Sequence, residues 1–263
     1  MDLNLADRVV VVTGANRGIG RAIAEAAAKE GATVVVVGRD EAACRETVAA
    51  LGADRASFTL CDVANGEDVA RLVETVAARH GRIDAIVNNA GRFGGGPIAS
   101  VTADALREGF DTKVVGALAL VQAALPHLRQ SDQARVVNVS GISAQRVMPG
   151  AGVTALANSS MIALTAYLAR ELMADRVNVN CVIPGYILTD PWRARTEALA
   201  QAEGLDYETA SLEVLRRQDM GHSRWGTPGE IADIVVFMLS AQAAFLNGAS
   251  FRIDGGQFLA VQR

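Results

Sequence analysis

The sequence predicts a doubly wound α/β fold, a parallel sheet of about seven strands between two layers of helices, from three observations. Short β-branched runs alternate with Ala-rich stretches of helical periodicity along most of the chain. Several runs, such as Val34 to Val37, are apolar at every position, as expected where both faces of a sheet are covered. Half of the 263 residues are hydrophobic but only 5% are aromatic, so the core is built from Val, Ala, Leu and Ile.

Strands are expected at 8–13, 33–38, 56–61, 85–88, 135–140, 177–182 and 249–253. Helical patterns lie between them at 19–30, 41–51, 67–80, 103–128, 154–172 and 228–240. Each strand but the last is followed by a helix long enough for a right-handed crossover, which makes the sheet parallel. A single domain spanning 1–263 suits this length. One segment breaks the rhythm. Between Pro184 and Pro228 the chain carries Trp192, Tyr207, His222 and Trp225, with helical patterning at 193–200 and 209–217. An insertion at about 186–227 after the C-terminal end of a strand is placed to act as a lid over a substrate. The alternative is a helical hairpin used for packing or association.

A net charge of −4 with no basic patch excludes a nucleic-acid or anionic-membrane partner. Cys44, Cys61 and Cys181 lie far apart and match no metal-ligand spacing, so no metal is expected and the thiols read as buried in a reducing compartment. The N-terminus shows no basic segment followed by a long apolar one, and no apolar run reaches the ~20 residues of a membrane span. The expected location is cytoplasmic.

The first strand runs directly into Thr13-Gly14-Ala15-Asn16-Arg17-Gly18-Ile19-Gly20 and then a helix. Gly14 turns the chain off the strand, Gly18 lets a pyrophosphate approach the backbone, and Gly20 lets helix and sheet pack closely. The N–H groups and dipole of the first helical turn would stabilise phosphates. Glycines in this strand–helix setting mark a dinucleotide site, and the fold is a Rossmann-type, three-layer α/β/α domain.

The TGxxxGxG spacing resembles the short-chain dehydrogenase/reductase family, and the resemblance runs through nearly the whole chain. Asp62 and Val63 look like the family's adenine contact after the third strand, and Asn88-Asn89-Ala90-Gly91 is similar to its NNAG signature. Pro184, Gly185, Ile187 and Thr189 resemble the segment over the nicotinamide, and Asp254-Gly255-Gly256 the C-terminal DGG. The resemblance implies a nicotinamide cofactor, a small-molecule substrate and a homotetramer or homodimer built on the long helices. An acidic residue ending the second strand would bind a ribose 2′-hydroxyl, but Gly38 stands there, followed by Arg39. With Arg17 in the glycine turn, two guanidinium groups favour the 2′-phosphate of NADP(H) over NAD(H). Asp40 argues the other way, since its carboxylate would suit free ribose hydroxyls.

Active members of the family carry Tyr and Lys as YxxxK, a Ser 13 residues before the Tyr, and an Asn on an earlier helix. Anchored on Val137-Asn138-Val139-Ser140 and on residues 165–172, the Tyr position holds Thr154, the Lys position Asn158, the Ser position Gly141 and the Asn position Lys113. The spacing from Gly141 to Thr154 is the family's 13, so the residues are substituted rather than shifted. A Thr hydroxyl is a far weaker acid than a phenol of pKa ~10, and losing general acid–base catalysis typically forfeits ~10²–10⁴ in rate. Asn158 would still bond ribose hydroxyls without bringing a charge. Lys113 reads either as an ammonium exchanged onto the other helix or as a solvent-facing or interfacial Lys. Ser140 and Ser143 flank the missing Ser. Tyr186 and His222 are further candidates for substrate contact or proton donation, and Tyr167 reads as a packing aromatic. Three functions compete: an NADP(H)-dependent oxidoreductase on a small, partly apolar carbonyl or alcohol; a non-redox cyclase, dehydratase, isomerase or aldolase type; and an inactive binding or regulatory subunit.

Overall fold

In the computed structural model, which describes residues 3–91, 94–218 and 224–258, the chain forms one seven-stranded, all-parallel sheet of order β3-β2-β1-β4-β5-β6-β7. In chain order the elements are β1 (Val9–Thr13), α1 (Gly18–Lys29), β2 (Thr33–Gly38), α2 (Glu41–Leu51), β3 (Ala56–Leu60) and α3 (Gly66–His80). There follow β4 (Ala85–Asn88), α4 (Ala103–Phe110), α5 (Gly116–Leu128), β5 (Arg135–Val139), α6 (Gly152–Glu171) and β6 (Asn178–Pro184). The chain then runs through α7 (Asp190–Glu203), α8 (Tyr207–Arg217), α9 (Pro228–Leu239) and β7 (Ser250–Ile253).

The valine runs explain the layers. Val10, Val12, Val34 and Val36 pack with Ile23 and Ala27 of α1 and with Ile231 and Val235 of α9 on one face. Their neighbours Val9, Val11, Val35 and Val37 pack on the other face against Leu72 of α3, Leu120 of α5 and Leu168 of α6. Consecutive side chains point to opposite faces, so an unbroken apolar run is what a doubly covered strand needs. All three cysteines are free and buried.

Two expected elements differ. The stretch expected as one helix over 103–128 is α4 and α5 joined by a π-helical turn at Asp111–Val115, where the Gly116 N–H reaches the Asp111 carbonyl. Hydrophobic periodicity does not register one wider turn, which shifts the phase only slightly. The expectation that no apolar run is long enough for a membrane also needs correction. By length and composition α6 would suffice, but half of that stretch is buried, and in this fold it covers β5 and β6 with Met161 and Leu168 inside.

The connection after β6 is longer in helix than expected. Thr189 and Pro191 start α7, Gly204 in the left-handed region ends it, and Asp206 caps α8. These two helices build a satellite cluster of Tyr186, Trp225, Val214 and Leu215 with Trp192, Leu199 and Ile142.

Candidate dinucleotide and active site

The strand order reverses between β1 and β4, and the crevice beyond their C-terminal ends is where open α/β sheets take ligands. Thr13 joins the two strands: its Oγ1 accepts from the backbone N–H groups of Asn89 and Ala90, both at 3.0 Å, and donates to Val87 O at 3.3 Å. The Asn89 amide donates to Thr13 O at 2.9 Å and Gly14 O at 3.2 Å, fixing the turn. Gly14 sits at φ +64°, and a Cβ on Gly20 would lie 2.2 Å from the Gly14 carbonyl oxygen, so neither position admits a larger residue without rearrangement. Helix α1 begins at Gly18 with Arg17 at its N-cap and no side-chain capping bond, whereas Asp40, Asn65 and Thr227 cap α2, α3 and α9. Its first-turn N–H groups, with Asn16 and Ile19 in the same turn, are therefore left without a capping side chain, as a phosphate would require.

The segment after β6 closes over this turn. The Thr189 methyl is 3.5 Å from where a Gly18 Cβ would be, and Gly185 packs so tightly that a Cβ would meet Gln257 Oε1 at 2.1 Å. Pro184 ends the strand, and Ile187 bridges to Gly226. At the far end of the crevice, Arg39 pairs with Asp62 at 3.2 Å, and Val63 is buried beside them. A Cβ on Gly38 would fall 2.9 Å from Cys44 Sγ and 3.0 Å from Asn16 Oδ1. Arg17 is exposed, and its guanidinium makes no hydrogen bond or ion pair among the described residues. Asp40 accepts the Ala43 N–H at 3.1 Å as the α2 cap.

The positions that should move protons are held in three groups. Thr154 Oγ1 donates to Gly94 O at 2.7 Å and accepts from Gly94 N–H at 3.0 Å. Ser140 Oγ donates to Asn158 O at 2.8 Å, and Asn158 Nδ2 donates to Ser143 Oγ at 2.8 Å. The Asn158 Oδ1 is buried and has no partner among the described residues, a state a hydrogen-bonding ligand would relieve. Lys113, in the π turn, lies with its Nζ 3.3 Å from where a Gly91 Cβ would be, on a crevice wall shared with Thr13, Asn88 and Ala90. Burial pushes its ammonium down to about 8, against a smaller opposing effect of the Cys181 thiol, which burial in turn raises to about 11. Tyr186 points elsewhere: its hydroxyl donates to Gln218 Oε1 at 2.9 Å and its ring packs edge-on to Trp192 and Trp225. Burial raises its phenol, opposed by Arg146 and Arg195 nearby. His222 lies outside the described residues.

A family profile described as enoyl-(acyl carrier protein) reductase matches residues 14–257. A rabbit (Oryctolagus cuniculus) protein, dehydrogenase/reductase SDR family member 4, is 34% identical over 96% of this chain and 94% of its own length. The chain belongs to the short-chain dehydrogenase/reductase family. Among solved structures, L-sorbose reductase from Gluconobacter frateurii, complexed with NADPH and L-sorbose, superimposes with a TM-score of 0.95 at 29% identity, covering 99% of this chain and 100% of that one. A short-chain oxidoreductase from Pseudomonas aeruginosa PAO1, described as containing an atypical catalytic center, gives a TM-score of 0.91 at 29% identity over 98% and 99% of the two chains.

Within the family frame, the sequence did not reveal how the substituted positions depend on one another. A Cβ on Gly141 would lie 2.7 Å from Asn158 Nδ2, so a Ser at 141 and this Asn158 conformation exclude each other. Gly94 as the partner of Thr154 and Gln218 as the partner of Tyr186 carry no motif and were equally invisible. One signal was available and missed. The chain has 25 Lys and Arg residues, of which only Lys29 and Lys113 are lysine.

Proposed function

We propose that this protein is an NADP(H)-dependent oxidoreductase that interconverts a small, partly apolar carbonyl compound and its alcohol. The observation that carries the reading is the intact cradle, a collision-tight glycine turn beneath a helix N-terminus that no side chain caps. The tight turn brings the free N–H groups and the positive end of the α1 dipole to the crevice, where they suit a phosphate. The nicotinamide, when bound, supplies hydride chemistry. Gly14, Asn16, Arg17, Gly18, Ile19 and Gly20 would hold the pyrophosphate, with Asp62 and Val63 at the adenine. Asn89, Ala90, Gly91, Pro184, Gly185, Ile187 and Thr189 would hold the nicotinamide half.

The phosphorylated form is favoured by exposed Arg17 and by Arg39, which pairs with the half-exposed Asp62. Gly38 stands where an acidic residue would prefer a free ribose, a Cβ there would crowd Cys44 and Asn16, and the helix cap occupies one Asp40 oxygen. The unpartnered Asn158 Oδ1 would accept a ribose hydroxyl, oriented by Ser143. The pair α7–α8, with its aromatic underside, would close over the substrate. Exposed Leu156 and Tyr167 on α6 fit a homodimer or homotetramer. Free, buried thiols suit a cytoplasmic setting.

A second reading, non-redox chemistry on the same scaffold, is favoured by the tying of Thr154 to Gly94 and of Tyr186 to Gln218, which leaves neither hydroxyl free. The deciding experiment mixes NADPH with a panel of ketones and diketones, following absorbance at 340 nm and product mass. Cofactor oxidation matched by alcohol formation supports the redox reading. Product without oxidation supports the second, and nucleotide binding with neither leaves a binding or regulatory protein.

A further inference from the structure

Lys113 is unusual in kind as well as in place. The chain meets its need for positive charge with arginine at every site but two, and the other lysine, Lys29, ends α1 on the surface. Arginine remains protonated in proteins and is not a nucleophile, whereas a lysine that loses its proton carries a reactive lone pair. Lys113 sits where that difference matters. Its amine presses against Gly91 at the switch point of the sheet, on a wall shared with Thr13, Val63, Asn88, Ala90 and Thr112. It forms no hydrogen bond or ion pair among the described residues, so no carboxylate holds the proton on it. The residue is densely surrounded yet stays partly exposed. The π turn that carries it interrupts the α4–α5 helix at this point, an irregularity often found at functional sites.

We propose that Lys113 is a carbonyl-capturing amine, which condenses with a small aldehyde or ketone to form an imine. The neutral amine adds to the carbonyl carbon, its two hydrogens pass to the oxygen, which leaves as water, and a C=N bond replaces C=O. No oxidant or reductant enters. Desolvation favours the nucleophile, as it does for lysines that form Schiff bases. With the ammonium lowered to about 8, about a tenth of Lys113 is neutral at pH 7, roughly two hundredfold more than for an ordinary lysine of pKa ~10.4. This capability goes beyond the redox reading and needs no nucleotide.

The test uses the intact protein without nucleotide, incubated with butanal or cyclohexanone and cyanoborohydride, which reduces an imine to a stable amine. Mass spectrometry of the digest then compares Lys113 with Lys29, a control built into the chain. The proposal expects one butyl or cyclohexyl group on Lys113, formed at least about tenfold faster than on Lys29. The ratio of labelling at Lys113 to that at Lys29, in which the shared dehydration and reduction steps cancel, should be greatest below about pH 8 and fall as the pH is raised above it, and the preference should vanish in urea. Lys113→Arg keeps the cation and should abolish the adduct. Equal labelling of both lysines, no adduct, or a preference that survives unfolding overturns the proposal on the wild-type protein alone, whether or not the variant folds. Because NADPH is absent, failure here leaves the oxidoreductase reading intact, and failure of NADPH oxidation leaves this one intact.

Discussion

Restoring the family's serine at position 141 should damage this protein. The Gly141 backbone is at φ 177°, an extended conformation open to any residue, so the glycine is not required for conformational reasons. What excludes a side chain is Asn158, whose Nδ2 would lie 2.7 Å from the new Cβ, where ordinary contact begins at 3.4 Å. The amide would have to retreat by about 0.7 Å and give up its 2.8 Å bond to Ser143. Losing that bond costs about 1 kcal/mol and overpacking a buried site about 1–3 kcal/mol, so Gly141→Ser should destabilise by about 2–4 kcal/mol. For a chain of this size that lowers Tm by about 4–15 °C. A double-mutant cycle with Asn158→Ala isolates the cause. Removing the amide should relieve the clash, so the double variant should be more stable than the sum of the singles predicts by about 1 kcal/mol or more. The assay is urea unfolding of the four proteins. If Gly141→Ser unfolds at the wild-type midpoint, or the two changes simply add, the claimed dependence of 141 on 158 is wrong.

Gly20→Ala should weaken nucleotide binding by at least about 100-fold in a fluorescence titration, since its Cβ would meet Gly14 O at 2.2 Å and Asn89 Nδ2 at 2.5 Å and distort the turn. Arg17→Ala and Arg39→Ala should each cost NADPH about 10–100-fold in affinity, the worth of a charged hydrogen bond, and leave NADH nearly unchanged. Tyr186→Phe should remove only the bond to Gln218 and change kcat/KM less than about threefold, whereas a proton donor would lose ~10²–10⁴. Burial alone would raise the Asp84 carboxyl, but hydrogen bonds from Arg82, Ser131 and the Val9 N–H outweigh it and hold it below the ordinary carboxylate range. A depressed folded-state pKa gives stability that is complete above the unfolded value of ~3.9 and lost as pH falls below it. Asp84→Asn should therefore cost about 3–5 kcal/mol near neutrality and progressively less in acid, as read from unfolding midpoints at pH 7 and pH 3.

The fold was legible because its signals are local and repeated. An apolar run such as Val34 to Val37 has one physical solution, a strand covered on both faces, and Thr13 to Gly20 can do little other than turn a strand into a helix. The register of the substituted positions was equally plain, since strand and helix fix both ends of the interval from Gly141 to Thr154. What escaped was pairwise. No pattern turns the Thr154 hydroxyl toward Gly94 or aims the Tyr186 phenol at Gln218, because each depends on a partner brought close only by folding. The π turn under Lys113 escaped for a different reason, since one wider turn leaves the apolar periodicity of 103–128 almost undisturbed. Lys113 was visible as a substitution, while its burial and lack of a partner emerge only from the crevice around it.

Calorimetric titration of the purified protein with NADPH and with NADH tests the dinucleotide reading most directly. The account predicts one site per chain, micromolar or tighter for NADPH and at least about tenfold weaker for NADH. No heat of binding with either nucleotide, or NADH bound as tightly as NADPH, would contradict it.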